Sequence, residues 1–132
     1  MKTVTIDTKK RNQMIDITSI VETSVSDTGI KDGMCYVFVP HTTAAVTINE
    51  NADEDVKVDI LNTLSKLIPY RDDYRHMEGN SDAHVKATLT GSTAAVIVQE
   101  GKLVLGTWQS LFFCEFDGPR KRKIMIKVAG DK

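Results

Sequence analysis

The amino-acid sequence predicts one compact α+β domain of mostly antiparallel strands with two or three helices. The chain has 132 residues, of which 41% are hydrophobic, and this is enough for one core but not for two. Segments that alternate apolar and polar residues outnumber segments with helical spacing, and turn-forming residues separate them. No linker, repeat or low-complexity tract divides the chain, so we treat residues 1–132 as a single domain.

The chain begins with two short predicted strands. Residues 3–8 alternate, with Val4 and Ile6 on one side, which predicts an edge strand. Ile15 and Ile17 continue the same alternation and predict a second strand.

A short helix is predicted from Thr18, where the apolar spacing changes to three and four residues. Ser19 and Glu22 have the spacing of a capping box. Gly29 stands where a left-handed residue commonly ends a helix, so we expect the helix to stop just before it.

Residues 34–49 are rich in β-branched side chains but contain Pro40, which cannot donate a hydrogen bond inside a sheet. This run predicts a strand, a kink and a second strand, and the kink carries His41.

Residues 52–68 are the clearest predicted helix, because apolar side chains recur at helical spacing and acidic residues fill the first turn. The polar residues 70–82 predict a loop.

Residues 83–90 fit two structures. Their apolar residues alternate as in a strand, whereas a polar residue before them could cap a helix that stops at Gly91, and we favour the helix. The rest of the chain is strand-like, with turns at Glu100–Gly101 and Asp117–Pro119.

Composition narrows the classes of function and the compartment. Seventeen Lys and Arg against eighteen Asp and Glu give a formal charge of −1, which excludes a strongly basic nucleic-acid-binding protein. Cys35 and Cys114 lie in apolar runs and are too few for a cysteine zinc site or a disulfide framework, so we expect buried free thiols in a reducing cytosol. No signal-peptide or membrane-spanning run occurs, and we expect a cytoplasmic protein that binds neither nucleic acid nor membranes.

The polar residue types that carry chemistry concentrate in residues 74–86. This stretch includes two histidines, two carboxylates, an amide and an ammonium, namely His76, His84, Glu78, Asp82, Asn80 and Lys86. Such side chains can bind a metal, transfer a proton near neutral pH or hold an anion. The alternative is a solvated surface loop without a function.

Two other segments present candidate residues. His41 follows a buried strand and is followed by Thr42 and Thr43, so a rigid scaffold could direct these groups, although a histidine that only caps the strand end is the alternative. Trp108 offers a stacking surface, or else belongs to the core, and Gly106 before it permits close backbone approach.

A carboxylate near the end of the chain requires a partner. Glu115 lies on a largely apolar strand face together with Gln109, so it must reach water or an arginine. Arg120 and Arg122 are available partners. They belong to residues 117–123, a basic cluster that predicts either a charged hairpin turn at a sheet edge or a phosphate site.

Standard catalytic signatures are absent, including the Walker loop, the Gly-x-Ser-x-Gly elbow and the dinucleotide glycine motif. The chain contains instead, in this order, the short motifs Asp32-Gly33, Val39-Pro40-His41-Thr42-Thr43-Ala44-Ala45, Ile48-Asn49-Glu50-Asn51-Ala52-Asp53, His76-x-Glu78-Gly79-Asn80, Asp82-Ala83-His84-Val85-Lys86-Ala87, Leu105-Gly106-Thr107-Trp108-Gln109 and Glu115-Phe116-Asp117-Gly118-Pro119-Arg120. Together these motifs resemble the YjbQ family, and the resemblance runs from about Asp16 to the C-terminus.

The resemblance implies a compact α+β protein that assembles as a trimer with motif residues near the subunit contacts. It also implies a low activity of a secondary thiamine-phosphate synthase, which joins a hydroxymethylpyrimidine diphosphate to a thiazole phosphate and releases diphosphate. This reaction requires stabilisation of the leaving diphosphate, usually by a divalent cation with Lys or Arg, and an aromatic or apolar surface for the pyrimidine.

These requirements assign roles to the candidate residues. The catalytic candidates are His41, Glu78, Asp82, His84 and Glu115. The candidates for substrate or anion binding are Thr42, Thr43, Asn80, Lys86, Trp108, Gln109, Arg120 and Arg122. The candidate ligands for a divalent metal, which could be Mg, Mn or Zn, are His41, His76 and His84.

The same residues fit two other functions, a metal-assisted hydrolase of a small substrate and a non-enzymatic trimeric module that binds a metabolite or anion. We expect a small phosphorylated substrate. We also expect a homotrimer, from the resemblance and from the apolar strand faces around Phe112 and Phe113.

Overall fold

A computed structural model describes all 132 residues as eight strands and three helices. The strands are β1 Lys2–Asp7, β2 Gln13–Asp16, β3 Gly33–Phe38, β4 Ala44–Glu50, β5 Thr93–Gln99, β6 Lys102–Leu103, β7 Gln109–Glu115 and β8 Lys121–Gly130. The helices are α1 Thr18–Thr28, α2 Glu54–Leu67 and α3 Ser81–Thr90. None of the helices is long and apolar enough to cross a membrane.

All paired strands are antiparallel and form two sheets. The larger sheet has the order β1-β8-β3-β5-β6, and the smaller has the order β2-β7-β4. One core joins the two sheets and the apolar side of α1, with Val21, Val37, Phe113 and Ile124 fully buried in it. The predicted α+β class with antiparallel strands is confirmed.

Helices α2 and α3 cover the other face of the smaller sheet. There Ala83 of α3 packs with Phe112, Cys114 and Phe116 in a second apolar cluster. Side chains of β7 point to the two faces of the sheet in turn. Because both faces of this sheet are covered, consecutive residues of β7 are buried. Cys114 and Cys35 are buried and unpaired, as the sequence predicts.

Most predicted elements are present. The strand, kink and strand around His41 are confirmed, with β3 ending at Phe38 and β4 beginning at Ala44. The ambiguous residues 83–90 are helical and belong to α3. Helix α1 ends at a left-handed Gly29 with φ of 69°, as its position in the sequence predicts.

Two local predictions are wrong. Helix α1 has no capping box, because Ile17 occupies its N-cap position and the Asp16 carboxylate accepts a hydrogen bond from the Thr18 N–H instead. Residues 117–123 do not form a hairpin turn, because β7 and β8 belong to different sheets. The segment therefore links the two sheets, and of its charged residues only Arg122 is buried between them, whereas Arg120, Lys121 and Lys123 remain exposed.

The outer face of the larger sheet exposes apolar side chains. Tyr36, Phe38 and Ile97 are 41%, 42% and 56% exposed on it. Phe112 and Phe113, from which the sequence predicts a subunit contact, are fully buried inside the chain and cannot form one. An exposed apolar sheet face is typical of subunit interfaces, so any self-association should use this face instead.

We expect a homotrimer whose mass in light scattering at micromolar concentration is close to three times the chain mass of 14.7 kDa. Phe38→Lys should lower this mass, because it places a charge in the expected apolar contact. Val58→Lys, at an exposed position of α2, should leave the mass unchanged. A single-chain mass for the unmodified protein would contradict the prediction.

Candidate functional site

Three connections meet at one polar cavity: the kink between β3 and β4, the loop between α2 and α3, and the link between β7 and β8. The cavity has a volume of about 480 Å³, and Pro40 is its only lining residue without a polar side chain. The other lining residues are His41, Thr42, Thr43, His76, Glu78, Asn80, His84, Asp117, Arg120 and Arg122. All of these except Asp117 are candidates from the sequence, so the fold brings together residues that lie up to 81 positions apart.

A second cavity, of about 400 Å³, continues the site along α3. It shares His41, Thr42 and His84 with the first cavity and is otherwise lined by small residues. The two cavities together form an open site of the size that small-molecule ligands occupy.

A buried ion pair lies beneath the cavity. Glu115 is 0% exposed, and it accepts hydrogen bonds from Arg122 on both carboxylate oxygens, from Thr8 Oγ1 at 2.8 Å and from the Asp117 N–H at 3.1 Å. Burial by itself raises the pKa of Glu115, but these hydrogen bonds outweigh it and leave the pKa below its ordinary value. Glu115 is therefore ionised at neutral pH and fully engaged as an acceptor.

The same ion pair fixes Arg122 in one orientation. Nε and Nη2 donate to Glu115, and Nη2 also donates to Oγ1 of Thr43 at 2.8 Å and to its carbonyl oxygen at 3.3 Å. Nη1 has no partner within the chain, although Arg122 lines the cavity. Its two N–H groups are thus free to donate to a ligand from a preformed position.

His41 presents a donor to the cavity. Its Nε2 accepts a hydrogen bond from the backbone N–H of Lys123 at 2.9 Å. Burial and the charge of Arg122 lower the pKa of His41 against the opposing influence of Glu115, so the ring is neutral at neutral pH. A neutral imidazole that accepts at Nε2 carries its proton on Nδ1, and only an N–H donor then remains for a ligand.

The loop between α2 and α3 supplies His76, and the first turns of α3 supply His84. The rings of His76 and His84 lie edge to face, with centroids 5.4 Å apart, and His76 Nε2 is 3.6 Å from the carboxylate of Glu78. Helix α3 begins at Ser81 and carries His84 on the side of the cavity. The ring nitrogens of His84 have no hydrogen-bond partner within the chain.

Asp117 organises the remaining side of the cavity. Its Oδ2 accepts hydrogen bonds from Asn80 Nδ2 at 2.9 Å and from Arg120 Nη2 at 3.1 Å. The sequence assigns no role to Asp117 beyond a turn, although it lies in the motif from Glu115 to Arg120 that supports the family resemblance. That motif is the only signal in the sequence that marks it.

Asp82 and Lys86 lie inside the molecule and do not line the cavity. Asp82 is 0% exposed, and both of its oxygens accept hydrogen bonds from Arg11, at 2.9 and 3.1 Å. The Lys86 ammonium is 3.6 Å from Asp82 and donates to Asn12 Oδ1 and Ser65 Oγ, each at 3.2 Å. These contacts join α2, α3 and the β1–β2 connection, so the two residues hold the scaffold behind the cavity.

Trp108 and Gln109 also lie outside the cavity. Trp108 is 62% exposed where the β6–β7 connection ends, so the alternative of a core tryptophan is wrong. Gln109 Oε1 accepts a hydrogen bond from the Gly106 N–H at 2.8 Å, which closes the local turn. The sequence of this turn does not distinguish a turn that points outward from a turn that lines a site.

The donor set does not match a metal centre. No three His, Cys, Asp or Glu side chains lie close enough to hold one ion. The Nε2 lone pair of His41 accepts a hydrogen bond from the Lys123 N–H, so it is not available to a metal. This leaves His76 and His84, whereas catalytic zinc normally has three protein ligands.

Known proteins resemble the chain over nearly its whole length. A family model described as UPF0047 protein YjbQ-like matches residues 2–131. The UPF0047 protein YugU of Bacillus subtilis is 51% identical over 131 residues, which are 98% of this chain and 99% of the relative. A UPF0047 protein of Methanocaldococcus jannaschii is 52% identical over 127 residues, which are 96% of this chain and 92% of the relative.

Solved structures of two similar proteins have the same fold. A protein of the YjbQ/UPF0047 family from Clostridium acetobutylicum is 52% identical, with a TM-score of 0.97 over 98% of this chain and 100% of that chain. A YbjQ-like protein from Sulfolobus solfataricus is 37% identical, with a TM-score of 0.95 over 98% of this chain and 96% of that chain.

Proposed function

This chain belongs to the UPF0047 YjbQ-like family, and we propose that it binds the phosphate group of a small metabolite in its polar cavity and carries out phosphate or diphosphate chemistry there. The observation that supports this most directly is the convergence of fixed donors. Arg122 Nη1 and His41 Nδ1 have no acceptor within the chain, and Thr42 lies beside them. Phosphate oxygens are the acceptors that such donors commonly bind.

The charges of the site favour binding by hydrogen bonds over binding by excess positive charge. Glu115 balances Arg122, and Asp117 balances Arg120. Donors that the chain already holds in place need little reorganisation when an anion enters, so they stabilise its charge effectively. This arrangement suits one phosphate group of a small molecule better than a polyanion.

Proton transfer is assigned to His84. Its ring is adjacent to both cavities and makes no hydrogen bond within the chain, and imidazole can donate or accept a proton near neutral pH. In a hydrolysis or displacement, Arg122 and His41 would hold the leaving phosphate while His84 exchanged a proton with the reacting group. Glu115 and Asp82 act as positioning residues, because both are buried and paired.

Thiamine phosphate formation is the specific reaction that the resemblance implies. In it the thiazole nitrogen displaces diphosphate from the methylene carbon of the pyrimidine substrate. The cavity supports the part of this reaction that involves phosphate. An apolar surface for the pyrimidine is absent from the larger cavity, and Trp108 lies elsewhere in the chain.

Metal-assisted hydrolysis is a second candidate, but only the pair of His76 and His84, with ring centroids 5.4 Å apart, supports it, because no three metal-ligating side chains lie close enough to hold one ion. A bound Mg²⁺, Mn²⁺ or Zn²⁺ ion would supply Lewis acidity or an activated water. Calorimetric titration with each ion decides whether this site exists. Saturable binding that weakens from pH 7 to about 5.5 would support histidine ligands, because protons compete for imidazole nitrogens.

The central test uses inorganic phosphate in calorimetry with two histidine variants. We expect saturable binding to the unmodified protein and about tenfold weaker binding to His41→Ala, because that variant loses a donor to the anion. His84→Ala should keep its thermal transition and bind phosphate within about threefold of the unmodified protein, while losing turnover.

Product analysis separates the three functions. A synthase releases diphosphate only with both substrates, a hydrolase needs one substrate, and a binding module forms no product. Failure of the unmodified protein to bind phosphate saturably would contradict the proposed function.

A further inference from the structure

The side-chain oxygen of Asn80 is the only buried side-chain nitrogen or oxygen of the chain without a hydrogen-bond partner. Asn80 lines the polar cavity at the start of α3. A buried acceptor without a donor is costly, and folded proteins contain few of them. This atom therefore marks a position where a donor from outside the chain would be stabilising.

The identity of the unpaired atom is fixed by Asp117. The amide nitrogen of Asn80 donates to Asp117 Oδ2 at 2.9 Å, and the same carboxylate is held by Arg120. Turning the Asn80 amide over would place its oxygen against the Asp117 carboxylate, and two acceptors at that distance repel each other. The unpaired atom is thus a hydrogen-bond acceptor and not a donor.

A second acceptor lies on the same loop. Glu78 lines the cavity, its side chain is 74% exposed, and its carboxylate lies 3.6 Å from Nε2 of His76. Arg122 Nη1 at the start of β8 and His41 Nδ1 in the β3–β4 kink provide donors. The cavity therefore combines donors from the sheets with acceptors from the loop.

From this arrangement, and resting on the phosphate site proposed above, we infer that the cavity selects a phosphate group that is accompanied by a hydrogen-bond donor. The donor is either the P–OH of hydrogen phosphate or a hydroxyl or ammonium group beside a phosphate ester. Asn80 Oδ1 receives it. Because this oxygen is shielded in the free chain, the loop of residues 68–80, which contains no helix or strand, has to shift as the ligand enters.

Hydrogen phosphate and sulfate form a matched pair of probes. At a pH of about 8, phosphate is mainly a dianion with one P–OH, whereas sulfate has the same charge and shape and no proton. A site built around an acceptor discriminates strongly against an analogue that cannot donate, because the acceptor stays unpaired in the complex.

The experiment compares the two anions by calorimetry at this pH. We expect the unmodified protein to bind phosphate at least about tenfold more tightly than sulfate. Asn80→Ala should lower this ratio by at least about threefold, because it removes the buried acceptor, while Asn62→Ala, at an exposed position of α2, should keep it. The thermal transition of each variant is recorded, and the ratio for the unmodified protein tests the inference even if Asn80→Ala fails to fold.

Ethyl phosphate and 2-hydroxyethyl phosphate separate the two sources of the donor. Tighter binding of the hydroxyl-bearing ester supports a donor on the substrate, and a preference confined to inorganic phosphate supports its P–OH. Equal affinities for phosphate and sulfate, with no gain from the ester hydroxyl, would overturn the inference while leaving the phosphate site intact. Absence of saturable binding by every anion would overturn both proposals.

Discussion

Replacing Glu115 by alanine is expected to lower the free energy of unfolding by about 3–5 kcal/mol, because it leaves the buried guanidinium of Arg122 without a counter-charge. Arg122 is 3% exposed, and Glu115 supplies acceptors to three different residues. A loss of this size is a large part of the stability of an ordinary domain, which is about 5–15 kcal/mol. Urea unfolding followed by circular dichroism measures the change.

Two variants control this result. Glu54→Ala removes the partner of Lys57 from a surface pair in which the Glu54 side chain is 78% exposed, and it should cost no more than about 1 kcal/mol. The double variant Glu115→Leu, Arg122→Met should recover part of the loss, since neither charge is then buried. If Glu115→Ala cost no more than Glu54→Ala, water would have to reach Arg122 in the folded protein.

Replacing Asp82 by alanine is expected to cost about 3 kcal/mol, because Arg11 and the buried ammonium of Lys86 lose their shared carboxylate. Lys86 is 2% exposed, and burial already lowers its pKa, so the loss of Asp82 favours its neutral form further. Asp55→Ala is the matched control. Both aspartates lie in the first turn of a helix, but Asp55 is exposed, so the comparison isolates the buried ion pairs from the effect of the helix dipole.

The pH dependence of stability tests the same ion pairs. Burial by itself raises the pKa of Asp82, but Arg11 and Lys86 outweigh it, and the pKa lies below its ordinary value. The contribution of Asp82 to stability is therefore complete above the pKa of an unfolded aspartate, about 3.9, and is lost as the pH falls through the lower pKa of the folded state. Asp82→Ala should lose less stability than the unmodified protein between pH 5 and about 2.5, and parallel curves would contradict this account.

These results would also decide how to interpret losses of activity. Asp82 and Glu115 are catalytic candidates from the sequence, and variants of either should lose activity together with stability. His84→Ala should lose activity alone. A variant of Glu115 that kept its full stability but lost turnover would instead support a catalytic role for this carboxylate.

The sequence by itself determined the elements and much of the site. Local patterns carry this information, because the period of the apolar residues separates strand from helix, and a proline or glycine marks where an element ends. The kink at His41, the helix over residues 83–90 and the buried thiols all follow from such patterns. The short motifs identified nine residues that line the cavity, because each motif places its polar groups beside the end of an element.

Only the tertiary structure decided which carboxylates face the cavity and which are buried behind it. Asp82 meets Arg11 across 71 positions of the chain, and Glu115 meets Thr8 across 107, so no spacing in the sequence reports these pairs. The assignment of β7 and β8 to different sheets likewise turned an expected surface hairpin into the link that carries Asp117 and Arg120 to the site. Burial and long-range pairing depend on how the sheets stack, and that stacking is a property of the whole chain.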